Sequence, residues 1–237
     1  MKFAVKLLLC AFCFMTLSAE TFTDDFFGIK NSASQKKEFV KRMLPLIQKA
    51  NENIVAERKI VDEFFEVVQK NGSLTDIDNK TIETIQNLAK KYNINSIEDI
   101  KEFKSKIAPV PISLALTQAA IETGWGKSRF FKEAKNAFGQ WTYSATNGLV
   151  PTNRETGKTH KIRVFNSVQE SVNSYMLNLN RHNAYADFRN LRSLLGSEFD
   201  GLTASSKMLN YSQTREQYVK LLRNVMINDE LTKYDYL

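Results

Sequence analysis

Residues 112–126 read Ile-Ser-Leu-Ala-Leu-Thr-Gln-Ala-Ala-Ile-Glu-Thr-Gly-Trp-Gly, and this stretch decides how the chain is organised. Ile112, Leu116, Ala119 and Ala120 mark a buried helix rich in small residues, which lets neighbouring elements approach closely. Gly124 and Gly126 supply residues able to adopt the left-handed conformation that closes a helix. Glu122 stands in the last turn before that closure, where an apolar helix has no obvious need of an acid. Pro109-Val110-Pro111 marks the boundary on its N-terminal side.

Upstream of that boundary the pattern is helical throughout. Phe39, Met43, Ile47, Ala50, Ile54, Val61, Phe64 and Val68 recur at helical spacing across 35–70, with Pro45 expected to kink the helix or delay its start. Asn71-Gly72-Ser73 stops it. A second helix carries Ile82, Ile85, Leu88, Ala89 and Tyr92, and a third is expected from Ser96, with Asp99 completing a partial capping box. This region, 20–107, carries no site-like chemistry and reads as a helical annex.

Downstream, Gly148–Thr152 and His160–Phe165 read as short strands joined by a turn containing Arg154, Glu155 and Gly157. Helix returns with the capping box Ser167-Val168-Gln169-Glu170 and the stripe Val168, Val172, Tyr175, Met176 and Leu179. Two or three more helices follow over 184–230, one including Tyr218, Leu221, Leu222 and Val225. The expected class is α+β, mostly α, without the βαβ alternation of a nucleotide-binding sheet.

The chain has 237 residues, 43% hydrophobic and 25% charged, with only 9 Gly and 4 Pro, which excludes collagen-like and low-complexity classes. Lys2 and Lys6, the apolar run Leu7–Leu17 and the small residues Ser18 and Ala19 follow the order of a secretory signal over 1–19. The run is shorter than the about 20 apolar residues a membrane span needs. Its removal would take Cys10 and Cys13 with it, leaving a chain from Glu20 without a thiol, and would lower the formal charge from +7 to +5. With His160 and His182 as the only imidazoles, a structural zinc site lacks ligands, and no metal or cofactor is expected. The basic balance suits an anionic polymer such as cell wall, nucleic acid or a lipid surface, or serves solubility alone. No Gly-x-Ser-x-Gly elbow, phosphate loop or His-Glu-x-x-His motif is present.

That leaves Glu122. Burial beside Trp125 and the negative end of a helix dipole both favour its neutral form, as a general acid for glycosidic cleavage requires. Context alone also allows an exposed last-turn acid.

Ala119-Ala120-Ile121-Glu122-Thr123-Gly124-Trp125-Gly126 resembles the signature of the bacterial endo-β-N-acetylglucosaminidases that cut peptidoglycan, and Asn136-Ala137-Phe138-Gly139-Gln140-Trp141 resembles their second motif. Gly148-Leu149-Val150-Pro151, Arg154, Gly157, His160, Arg163, Phe165, Asn178-Leu179-Asn180-Arg181 and Ala184-Tyr185 resemble the Bax-type branch. The resemblance implies a lysozyme-like domain over 108–237, Glu122 as general acid, and cleft positions at Phe138, Gln140, Trp141 and Tyr185. It implies peptidoglycan glycan strands as the partner and no nucleic acid, and with the signal cleaved no stable membrane insertion is expected. Many members carry a second acid on the β lobe. Glu155 matches it by position, one residue before the Bax-type place held here by Thr156, and is otherwise a solvated turn acid.

Carboxylates about 5–5.5 Å apart would retain configuration and about 6.5–9.5 Å would invert it, while a lone acid would leave the substrate's N-acetyl group as nucleophile. A lytic transglycosylase on a related fold and a non-catalytic wall-binding module are the alternative functions.

Overall fold

The computed structural model describes residues 21–74, 77–142, 148–150 and 161–236. The expected signal over 1–19 and the positions Pro151, Arg154, Glu155, Thr156, Gly157 and His160 lie outside the described residues.

The chain opens with a single turn, α1 (Asp24–Phe27), and the 40-residue α2 (Ser32–Asn71), about 60 Å long. Asn31 caps α2 by accepting from Ser34 N at 2.9 Å, and Gly72 ends it in the left-handed region. Because that cap fixes the start at Ser32, Pro45 does not delay the helix, which runs on through it. Next come α3 (Asn79–Tyr92) and α4 (Ile100–Lys106). The expected start of α4 at Ser96 is corrected to Ile100. Asp99 is the capping residue, accepting from Glu102 N at 2.8 Å, while the Ser96 carbonyl closes a turn with Asp99 N.

α5 (Ile112–Thr123) lies at the centre, with nine of its twelve residues buried. A helix enclosed on all sides must satisfy its polar side chains internally. Thr117 and Thr123 donate to the carbonyls of Ser113 and Ala119, four residues back. Pro111 offers no side-chain cap, so the N-terminus is closed from a distance by Asp235. That carboxylate accepts from Ser113 N at 2.8 Å, Ser113 Oγ at 2.6 Å and Gly201 N at 2.8 Å.

After α6 (Arg129–Ala134) come β1 (Trp141–Thr142), β2 (Gly148–Leu149) and β3 (Lys161–Arg163), an antiparallel sheet in the order β1-β3-β2. Trp141 and Leu149 both pair with Ile162. β1 was not expected from the sequence, and the two expected strands are shorter where described. β3 ends because Phe165 N leaves the sheet to donate to Ala134 O at 2.9 Å. The remaining helices are α7 (Val168–Arg181), α8 (Ala186–Leu195), α9 (Gly201–Ser205) and α10 (Glu216–Asn228). All five residues of the expected α7 stripe are buried. On α10 the buried face is Tyr218, Leu222 and Met226 at four-residue spacing, which leaves Leu221 exposed. The architecture is α+β and mostly α.

One core runs through both halves of the chain, from Phe39 and Phe64 of α2 to Leu116 of α5 and Val172 of α7. The connection at 105–110 is clamped from both sides. Asn51 makes two hydrogen bonds with the Val110 backbone, Arg58 reaches the carbonyls of Lys104 and Ile107, and buried Arg192 reaches those of Ser105, Ala108 and Pro109. The helical annex is therefore part of the packing around α5. Among the described residues, no helix is long and apolar enough to cross a membrane.

Candidate functional site

The end of α5 is shaped by three successive residues with positive φ: Gly124 (57°), Trp125 (59°) and Gly126 (81°). Gly126 is required twice over. Its φ disfavours a side chain, and a Cβ there would come within 2.6 Å of the Phe26 ring. Trp125 tolerates the left-handed region because it is anchored. Gln35 Nε2 donates to its carbonyl at 3.1 Å, its indole meets Phe39 edge-on at 5.9 Å, and Lys36 Nζ lies 4.6 Å over the ring. The contacts of Trp125 thus run to α2, and other groups surround Glu122.

Those groups are Tyr218 and the Gly139 turn. Tyr218 Oη donates to Glu122 Oε1 at 2.8 Å. Glu122 Oε2 lies 3.2 Å from where a Cβ on Gly139 would stand, and Gly139 has φ 63°. Burial pushes the Glu122 carboxyl above the usual carboxylate range, and the bond from Tyr218 offsets part of that shift. The side chain is half-buried and Gly139 beside it is exposed. The acid is therefore partly shielded from water, with Tyr218 against Oε1 and the exposed Gly139 beside Oε2.

Asn136 builds that turn. It is 2% exposed, donates through Nδ2 to the carbonyls of Gln140 (2.8 Å) and Arg163 (2.9 Å), and accepts through Oδ1 from Phe138 N and Gln140 N. One amide thereby holds the loop 136–140 shut and fastens it to β3.

The expected cleft residues have four different placements. Trp141 is 54% exposed on β1, next to the turn. Gln140 is half-buried and its Nε2 donates to Ser174 Oγ of α7 at 3.0 Å. Phe138 is buried, with its ring stacked on Tyr175 at 3.8 Å. Tyr185 is buried 6.5 Å from the Tyr211 ring, and burial pushes its hydroxyl up to about 12. Glu170 closes the start of α7, accepting from Asn166 N at 2.9 Å. Among the described residues no cluster of three or more His, Cys, Asp or Glu is placed to hold a metal.

A family model described as mannosyl-glycoprotein endo-beta-N-acetylglucosaminidase matches residues 97–231, which include Glu122, Gly139 and Tyr218. The chain belongs to this family. Membership places it among glycosidases. Similar proteins include Protein bax of Escherichia coli (strain K12), 29% identical over 192 residues, covering 78% of this chain and 66% of that protein. Peptidoglycan hydrolase FlgJ of Salmonella typhimurium (strain LT2) is 32% identical over 94 residues, covering 35% of this chain and 30% of that protein. The chain thus spans about two thirds of one curated relative and under a third of the other. No solved structure matches it significantly.

Sequence reasoning leaves Tyr218 open between a core and a cleft-edge aromatic, and gives Gln118 and Gly139 no role. Tyr218 sits in register with Leu222 and Met226, so periodicity gives it to the core, and only the three-dimensional structure shows its hydroxyl turned to Glu122. Gln118 carried a signal, as a lone amide inside an apolar helix and one turn before the acid.

Proposed function

We propose that this protein is an exported glycoside hydrolase that cleaves the β-1,4 bond after N-acetylglucosamine in peptidoglycan glycan strands, with Glu122 as general acid. The observation that carries this reading is the Glu122 carboxyl: half-buried, hydrogen-bonded by Tyr218 on one oxygen and set against the exposed Gly139 on the other. A carboxyl biased toward its neutral form keeps a proton at the pH where a leaving alkoxide needs one. The sugar polymer is chosen from the family's description and from FlgJ, a relative named as a peptidoglycan hydrolase. Trp141, 54% exposed beside the turn, is an aromatic of the kind sugar rings pack on, and the basic balance of the chain suits an anionic wall. In the reaction the Glu122 proton passes to the glycosidic oxygen as the bond to C1 breaks, and water supplies the hydroxyl at C1. Glu155 is the acid proposed to assist at C1.

Product analysis on purified sacculi tests the reading. New reducing N-acetylglucosamine ends are expected, with none from the Glu122→Gln variant. Anhydro-muramic ends would assign a lytic transglycosylase instead, and binding without new ends a wall-binding module. Undiminished cleavage by Glu122→Gln would remove Glu122 from the chemistry.

A further inference from the structure

Gln118 lies one turn before Glu122 on the same side of α5 and is fully buried. It joins two phenols. Tyr175 Oη donates to Gln118 Oε1 at 2.6 Å, and Gln118 Nε2 donates to Tyr218 Oη at 3.1 Å. Tyr218 then donates to Glu122 Oε1 at 2.8 Å. A primary amide accepts at one end and donates at the other, and a phenol has one proton to give. Once Tyr175 has given its proton to Oε1, the amide meets Tyr218 as a donor, and the Tyr218 proton is left for Glu122. The direction of the chain is set from the core outward. With the amide turned over, Tyr218 would donate to Gln118, and Glu122 could keep that hydrogen bond only by carrying its own proton on Oε1, facing the core.

The rings that hold this chain cannot swing away. Tyr175 is stacked on Phe138 with planes 3° apart, Tyr218 is stacked on Tyr211 at 5.6 Å and 7°, and Tyr211 Oη donates to the Phe138 carbonyl at 3.0 Å. The same stack therefore supports the loop that carries Gly139, against which Oε2 rests. The titratable groups facing Glu122 from neighbouring elements are Tyr175 of α7, Tyr211 in the segment before α10, and Tyr218 of α10.

We propose that Gln118 is a positioning residue for the general acid: clamped by Tyr175, it commits the Tyr218 proton to Oε1 of Glu122 and so confines the transferable proton to Oε2, the oxygen beside the exposed Gly139. The proposal rests on the reading of Glu122 as the acid. In the step it serves, the proton leaves Oε2 for the glycosidic oxygen, which takes the electron pair of the breaking C1–O bond. Water supplies the C1 hydroxyl and its remaining proton restores Glu122. The carboxylate formed in between already accepts from Tyr218, so no partner has to reorient.

The experiment follows the Glu122 carboxyl directly, by carbon-13 NMR titration of glutamate-labelled protein with the resonance identified by its loss in Glu122→Gln, beside the pH profile of kcat on sacculi. Gln118→Glu offers acceptors to both phenols and draws the Tyr218 proton away. The Glu122 titration and the alkaline limb of kcat should both move up by about one pH unit, with kcat lowered about 10-fold at the optimum. Should the buried charge prevent folding, Tyr175→Phe removes a single oxygen and frees the amide to turn. It should lower kcat several-fold at unchanged KM and displace the Glu122 titration. Folded variants of either kind whose Glu122 titration overlays the parent's would overturn the proposal. A displaced titration in a protein whose Glu122→Gln variant still cleaves would instead sink the reading of Glu122 as the acid, so the two failures are separable.

Discussion

Two carboxylates stand at the two ends of α5, and they are treated in opposite ways. At the N-terminus Asp235 accepts from three donors, two of them backbone amides, at the end of the helix whose dipole favours negative charge. At the C-terminus Glu122 accepts from one phenol, at the end whose dipole opposes negative charge, and burial raises its pKa. Under the function proposed above, the same functional group is a fastener at one end and a proton carrier at the other. What separates them is the number of donors supplied and the end of the helix at which they stand.

The strongest way to break this contrast is to remove each acid in turn. Glu122→Gln should lower kcat on sacculi by about 10²–10⁴-fold. Its thermal unfolding should stay cooperative, because Gln Oε1 still accepts from Tyr218. Asp235→Ala should do the reverse. It leaves Ser113 N and Gly201 N without their partner and should cost about 2–3 kcal/mol in urea unfolding, with kcat per folded molecule unchanged. If Asp235→Ala abolished turnover in a fully folded sample, the division of labour would be wrong.

Gly139→Ala sharpens the comparison from the side of Oε2. The left-handed backbone alone should cost about 1–2 kcal/mol, and a Cβ 3.2 Å from the carboxyl oxygen should lower kcat about 10-fold by displacing it. The smallest effect is one of pH. The Glu122 carboxyl titrates higher in the folded protein than in the unfolded chain. Between the two values the native state holds the extra proton, so its stability falls as pH rises through that window. Glu122→Gln lacks this loss. Parent and variant should melt together near pH 3, and the variant should melt higher as pH rises above the ordinary carboxylate range. Parallel melting curves at all pH values would show a carboxyl indifferent to its surroundings.

The helices were legible from the sequence because their signals are local and repeated. The α7 stripe and its Ser167 cap rest on spacing alone, and both are found where spacing puts them. Glu122 was legible as a misplaced acid in a small-residue helix. Its surroundings were not. Trp125, three residues on in sequence, turns to Phe39 and Lys36, while the group that hydrogen-bonds the acid comes from Tyr218, 96 residues away. β1 was missed because two residues carry no alternation. It exists through pairing with β3 and the Asn136 amide behind it. Asp235 was invisible for the same reason as Tyr218: a cap or a donor supplied from 96 or 122 residues off leaves no pattern near its target.

The Phe26 ring fits where Gly126 has no side chain, and Phe22 packs edge-on against both Phe26 and Phe131. The bend that follows the acid is thus braced by the extreme start of the described chain. A recombinant fragment cut at Pro109 would retain every residue proposed for chemistry but lose the bracket beneath the Trp125-Gly126 bend. We expect such a fragment to emerge insoluble or inert. Co-expressing the severed upstream piece as a separate polypeptide should restore it, in the manner of a split enzyme.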